Sequence, residues 1–394
     1  MEKKDILKFK VFFVLSKVLL FIPVFVVFFQ SKGLSFGEIS LLKTITFISI
    51  IIMEIPGGVI GDRYGYKSSV IIGLILLSIS CFLNTIGVSF SIFFIAAILW
   101  GIGSALISGS DIAWFYSYLK SIRQEENYSK IWGDFTFYNQ LVTAICMVIS
   151  SFLFKLNENI PYIFNGIIFF VSIFMAFLIK KESMIREKKE HGLFKLNIKN
   201  AFSTNLVIII CCSILFSALI VFVFDTYQVR LSNDHFPISF NGTLYALFVI
   251  ITGLGAKAAY KFENKNKQNV NTLIILGIVQ SISIALLAFK FGSVYTIVIF
   301  AFQEFIFGVF NVFSSSLLNK MIDSKNRASF LSLLSLCVSL VKTMIYPVFG
   351  SFVDHFEIEK TYGIISLIMF LPLLLILLSN VIFRKKTKVY KVEG

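Results

Sequence analysis

The chain has 394 residues, 57% hydrophobic and only 15% charged, with a formal net charge of +14. A soluble protein carries roughly 25% charged residues, so this composition does not fit a water-soluble globular chain. In a soluble protein the positive balance would point to nucleic acid; in a chain this apolar it points to basic loops on the cytoplasmic side of a membrane, and no nucleic-acid partner is expected. The N-terminus Met1-Glu2-Lys3-Lys4-Asp5 runs into a full-length apolar stretch with no small-residue cleavage site, so no signal peptide is expected. Apolar stretches of about 20 residues then recur to the end, each long enough to cross a bilayer. Twelve spans are predicted, over 9–30, 37–60, 68–88, 92–117, 133–154, 160–179, 204–226, 240–260, 271–290, 293–318, 328–352 and 359–383. The fold class is an all-α membrane protein. Segments 1–8, 62–67, 119–131, 180–202, 261–270, 319–327 and 384–394 hold most of the 36 Lys and Arg residues, which puts both termini in the cytoplasm.

Between spans two and three lies a short, charged, glycine-rich link, Gly57-Gly58-Val59-Ile60-Gly61-Asp62-Arg63-Tyr64-Gly65-Tyr66-Lys67. Its glycines let two helix ends approach closely. It resembles the signature loop of the major facilitator superfamily of transporters, G-x-x-x-D-[RK]-x-G-x-[RK], with Gly58, Asp62, Arg63, Gly65 and Lys67 on the key positions. The resemblance implies twelve transmembrane helices in two six-helix pseudo-repeat bundles. It also implies a cytoplasmic gate made by these residues, with Glu54 two turns before the loop and Arg327 at the start of span eleven. Three further segments resemble bacterial drug or metabolite efflux members of that family: Glu54-Ile55-Pro56-x-Gly58, Ser108-Gly109-Ser110-Asp111-Ile112-Ala113-Trp114, and the stretch from Asn319 through Arg327 to Leu333. Two departures stand out. Tyr116-Ser117 replaces an acid common after span four's aromatic, and span five lacks the glycine-proline motif associated with drug–proton antiport.

The loop 180–202, with Lys180, Lys181, Arg186, Lys188, Lys189, Lys195 and Lys199, divides the spans six plus six. The expected domains are a first bundle over 1–180, a cytoplasmic linker over 181–202, and a second bundle over 203–394 ending in a short basic tail. The second half carries a weaker counterpart of the signature loop, Gly253-Leu254-Gly255-Ala256-Lys257-Ala258-Ala259-Tyr260-Lys261, without its acid–base pair.

A charge deep in a span costs at least about 2.5–3.5 kcal/mol on insertion scales, so each intramembrane charge needs a reason. Lys17, Lys43, Glu54, Asp111, Glu304 and Lys342 qualify, with Asp225 at a border. Lys17 lies roughly 12 Å into span one at about 1.5 Å per residue, and Asp111 lies at a similar depth in span four. The pairs Lys17–Asp111 and Glu304–Lys342 are therefore candidates for proton coupling or substrate binding, and equally for helix packing. Asp111 is the first choice, because the residues around it carry the resemblance. Lys43 is expected to snorkel to the interface. Trp114, Tyr116, Tyr138, Asn139, Gln303 and Asn311 are candidate cavity residues. Each aromatic among them also reads as packing or interfacial anchoring.

Five cysteines within apolar runs and three histidines in separate loops form no metal-spaced set. No G-x-x-x-x-G-K-[ST] motif and no catalytic constellation occur, so no cofactor, no metal and no enzyme activity are expected. The resulting expectation is a secondary transporter working by alternating access. It would act as a monomer in the cytoplasmic membrane of a bacterium, exporting a small amphipathic drug or secondary metabolite coupled to protons. The alternative is a nutrient importer of the same fold; a membrane receptor or integral-membrane enzyme is a third reading.

Overall fold

The computed structural model describes residues 2–179, 204–263, 270–321 and 327–389. The linker expected over 181–202 lies outside the described residues. Within them are fifteen α-helices and no strand: α1 (Glu2–Lys17), α2 (Phe25–Ser31), α3 (Phe36–Tyr64), α4 (Tyr66–Ile86), α5 (Phe90–Ile107), α6 (Ser110–Ser121), α7 (Tyr128–Leu156), α8 (Ile160–Leu178), α9 (Thr204–Asp225), α10 (Tyr227–Asn233), α11 (Asn241–Glu263), α12 (Val270–Leu286), α13 (Ser293–Met321), α14 (Arg327–His355) and α15 (Ile358–Val389). Eleven stretches are long and apolar enough to cross a membrane, and α12 adds a shorter apolar helix of 17 residues. The span predicted over 271–290 overruns α12, because Leu287 and Ala288 turn back on Ile284 and Ala285 and Gly292 takes φ +90° to lead into α13.

Exposed large apolar side chains such as Ile52, Ile55, Phe170, Phe174 and Phe177 cover the helix surfaces. Patches of this extent are not tolerated in water and mark a surface made for lipid.

Two of the predicted spans, one and four, are broken helices, which hydropathy alone does not reveal. In span one, α1 stops at Lys17 and the chain resumes through a 3₁₀ turn at Ile22–Val24 into α2. Pro23 has no N–H to give to a continuous helix. The freed backbone is satisfied by neighbours: the Leu20 N–H donates to Asn165 Oδ1 at 2.6 Å, and the Leu20 carbonyl accepts from the Ser150 hydroxyl. Irregular backbone survives at membrane depth only where protein groups replace water in this way. In span four, α5 ends at Ile107 and α6 begins at Ser110, across Gly109 at φ +76°. The span predicted over 204–226 matches α9, which ends at Asp225, and the short helix α10 follows it from Tyr227.

The chain divides into two compact units, Met1–His191 with Pro237–Ala246, and Gly192–Phe236 with Leu247–Gly394. Pro237–Ala246 thus belongs with the first unit, where the Gly242 N–H donates to Ser151 Oγ at 2.7 Å. The first unit is cored by Phe9, Phe12, Trp114, Phe115, Tyr118 and Phe135, with ring centroids 4.7–6.5 Å apart. The second is cored by face-stacked Phe216 and Phe310 and by Phe222 against Tyr346.

Candidate functional site

The signature segment is built as the end of one helix and the start of the next. α3 closes at Gly65, whose φ of +97° suits glycine and whose N–H donates to Gly61 O at 2.9 Å. Asp62 and Arg63 are exposed; Asp62 accepts from the Tyr66 hydroxyl at 2.8 Å, and Arg63 lies 5.6 Å over the Tyr64 ring. Lys67 caps the end of the sixth span, donating to Ile179 O at 2.6 Å. The close approach expected of the segment's glycines is made by Gly57 and Gly61, not by Gly58. Gly58 faces open space, whereas an added side chain at Gly57 would meet Ala105 O at 3.3 Å and one at Gly61 would meet Ser110 Oγ at 3.0 Å. Glu54 is half-buried on α3. The Arg327 side chain lies outside the described residues, so the expected contact of the gate with span eleven is not visible.

The Lys17–Asp111 pair is formed, with Nζ and Oδ2 2.5 Å apart and Asp111 buried. Both residues sit at helix breaks, Lys17 in the last turn of α1 and Asp111 in the first turn of α6. A cation at a helix C-terminus and an anion at an N-terminus are each favoured by the local dipole. Asp111 Oδ1 also accepts from the N–H of Ile112 at 2.8 Å. The lysine's charge, the N-terminal end of α6 and a hydrogen bond therefore converge on one buried carboxylate.

Two turns earlier on α1, Lys10 makes a second pair with Asp134 of α7 at 2.7 Å, and its Nζ lies 3.3 Å over the Tyr138 ring. Sequence reading named Tyr138 but neither Lys10 nor Asp134. Asn139 donates to Val14 O at 3.5 Å, which ties α7 to α1. Tyr116 is exposed and sits edge-on to Tyr128. Trp114 is not a cavity residue: it is completely buried, wedged against Phe9 and Phe12, with Lys67 5.8 Å over its ring. Its position on α6, just after the Gly109 break, turns the indole into the core.

In the second unit Glu304 is buried in the middle of α13, and its partner is not Lys342. It accepts from the Thr252 hydroxyl of α11 at 2.6 Å, and no Glu304–Lys342 ion pair exists among the described residues. The cause is a backbone-to-backbone crossing of the two helices. A side chain added at Gly308 would lie 2.0 Å from Thr252 O, and one at Gly255 would lie 2.1 Å from Phe305 O. Glycine at both places lets α11 and α13 touch and brings Thr252 to the acid. Below this contact opens a groove of about 560 Å³ lined by Thr252, Ala256, Gly308, Asn311, Val312, Ser315 and Ser316. Glu304, Gly308, Asn311 and Ser315 follow the helical repeat, so the acid and the groove share one face of α13. Asn311 lines the groove as expected. Gln303 does not; it is buried one position off that face, with both amide atoms unpartnered among the described residues. Lys342 is half-buried on α14.

Sequence reading also missed a buried arginine. Arg230 of α10 is 1% exposed and ion-pairs with Glu359 at the start of α15, while its Nη2 donates to Phe289 O at 3.2 Å. Lys290 joins Glu357 at 3.2 Å and Glu359 at 3.6 Å. The hydrogen bond to Glu357, with the charge of Glu359 beside it, raises the Lys290 pKa. The available signal was the spacing of Arg230 and Asp234 at i and i+4, with acids at 357 and 359 opening the last helix.

The family model described as Major Facilitator Superfamily matches residues 11–343. Among curated relatives, the MFS-type transporter YxaM of Bacillus subtilis (strain 168) is 23% identical over 374 residues, covering 90% of each chain. The quinolone resistance protein NorA of Staphylococcus aureus (strain MRSA252) is 23% identical over 315 residues, covering 76% of this chain and 77% of its own. Among solved structures, the D323A mutant of the nucleoside transporter NupG superposes with a TM-score of 0.79 at 14% identity, covering 95% of this chain and 99% of its own. A D-xylose-proton symporter superposes with a TM-score of 0.68 at 14% identity, covering 94% and 95%. At that identity the two structures establish the fold.

Proposed function

This chain belongs to the Major Facilitator Superfamily and is a multi-pass membrane transporter, not an enzyme, and on that premise we propose that it exports small amphipathic compounds in exchange for protons. Its place in this reading is the cytoplasmic membrane of a bacterium, with both termini inside. The observation that carries the reading is Glu304, a carboxyl 8% exposed in mid-helix that accepts from the hydroxyl of Thr252, a residue that itself lines the groove. A charge at such a place costs at least about 2.5–3.5 kcal/mol, and a proton on the carboxyl removes that cost. Loss and recovery of the proton can then be tied to two packings of α11 against α13, each favoured by one protonation state. The groove offers hydroxyls of Thr252 and Ser315 and the amide of Asn311 beside apolar Val312 and Ala256, a lining suited to an amphipathic molecule.

Glu304 takes the first place as proton carrier over Asp111, since the Asp111 carboxylate already has its counter-charge in Lys17. Asp62, Arg63 and Lys67 are assigned to the inner gate with Arg327. The export direction leans on the likeness to a quinolone resistance protein. Transport of a compound panel that includes a quinolone, compared in right-side-out and inverted vesicles under an imposed pH gradient, tests it. Export predicts accumulation in inverted vesicles acidified inside, whereas accumulation only in right-side-out vesicles acidified outside would establish the importer.

A further inference from the structure

We infer that Asp134 and Tyr138 of α7 form a binding site for organic cations that the protein's own Lys10 occupies when no substrate is present. The geometry is that of a cation receptor with a cation seated in it. Asp134 and Tyr138 are four residues apart on one helix, so carboxylate and ring lie one above the other on the same face. The ammonium of Lys10 reaches in from α1, 2.7 Å from Asp134 Oδ2 and 3.3 Å from the Tyr138 ring centroid. This approach is closer than those of Lys17, Lys32, Lys43, Arg63 and Lys67, which lie 4.6–6.0 Å from their rings. The face of an aromatic ring attracts a cation through its quadrupole, and a carboxylate at the ring edge adds full charge.

What separates this pair from Lys17–Asp111 is access. Asp134 is half-exposed and Tyr138 is 41% exposed, while Asp111 is buried. An exposed ion pair is weak. Its lysine is held by a flexible four-carbon stem that can swing out and leave carboxylate and ring in place. A tethered cation competes with a free one at an effective concentration in the millimolar range. Lys10 thus acts as a built-in competitor, which a substrate must displace and which refills the site when substrate leaves. The ligand class is a monovalent organic cation with a compact charged head, an alkylammonium or a quaternary ammonium.

The inference rests on the reading of the chain as a transporter of small amphipathic molecules, but its test needs neither a gradient nor a direction. Binding of tetraethylammonium to the full detergent-solubilised chain is measured by equilibrium dialysis. Lys10→Met is expected to tighten binding about tenfold relative to the unsubstituted chain, because the competitor is gone. In that background Asp134→Asn and Tyr138→Ala are each expected to return it to the unsubstituted level or below, and Tyr138→Phe to leave it tight. Lys10→Met binding that is unchanged or weaker overturns the inference, as does tight binding that survives Asp134→Asn. Monodisperse elution of each variant in size-exclusion chromatography separates a lost site from a lost fold. Failure here with proton-driven export intact would remove the cation site alone; the reverse outcome would remove only the export reading.

Discussion

In the first unit the buried acid Asp111 opens a helix and lies 2.5 Å from a lysine that closes another; in the second the buried acid Glu304 sits in mid-helix and accepts from a threonine. The difference comes from the backbone. Broken helices in spans one and four supply a C-terminal and an N-terminal end at the same depth, and each end favours the sign of the side chain it carries. α13 is continuous, so Glu304 has no helix end to draw on. It has only what the glycine crossing of α11 and α13 delivers, a hydroxyl. An acid with a counter-charge and a favourable helix N-terminus, paired to a lysine favoured by a helix C-terminus, is suited to hold two helices together. An acid with a neutral partner is suited to exchange a proton when the packing around it changes.

The comparison can be broken first at the glycine crossing. Gly308→Ala places a methyl group 2.0 Å from Thr252 O, and neither backbone can yield without parting the helices. The expected cost is about 3 kcal/mol, the upper end for overpacking, with loss of transport, measured as thermal stability in detergent and as vesicle flux. Unchanged stability would mean that the crossing does not hold Thr252 at the acid. In the first unit, Lys17→Met leaves Asp111 without its counter-charge. The expected destabilisation is about 2 kcal/mol, below the ~3–5 kcal/mol of a fully buried pair because Lys17 keeps 36% exposure. Adding Asp111→Leu should restore the stability; a double variant no better than the single would show that the two residues act separately.

Smaller effects sharpen the same contrast. Thr252→Val removes the hydroxyl from Glu304 and should cost about 1 kcal/mol, whereas Thr252→Ser should keep the bond and most of the stability. At the surface, Glu158 accepts from Lys32, and this bond, with a lesser one from Ser31, lowers its pKa from the ordinary 4.5. A depressed carboxylate stabilises the fold above its unfolded pKa and loses that contribution as pH falls through the folded value. The loss is confined to pH below about 4.5 and, for a half-buried pair at the surface, amounts to about 0.3 kcal/mol. Glu158→Gln should flatten the stability profile in that window, lowering stability by about 0.3 kcal/mol at pH 7 and leaving it nearly unchanged at low pH.

Hydropathy made the helices and the family resemblance legible, because a bilayer imposes length and composition on every span and the loop at 57–67 carries its own spacing. The breaks at 18–24 and 108–109 were not legible. An apolar run reads the same whether it is one helix or two, and Pro23 and Gly109 give meaning only beside Asn165, Ser150 and Asp111. Matching depth along the helices found the Lys17–Asp111 pair. The same argument failed for Glu304 and Lys342, since depth says nothing about the helix face a residue occupies or which neighbour comes closest. Lys10, Asp134 and Arg230 escaped notice because they lie near span ends, where a charge needs no special reason until a partner is seen.

The most direct test of the unequal roles of the two acids is pH-gradient-driven substrate transport in proteoliposomes by two variants side by side. With Glu304→Gln, gradient-driven transport is expected to fall to background while substrate exchange without a gradient persists. With Lys17→Met/Asp111→Leu, gradient-driven transport is expected to continue at a substantial fraction of the unsubstituted rate. Gradient-driven transport that survives Glu304→Gln and vanishes in the double variant would reverse the assignment and make the charged pair of the first unit the coupling device.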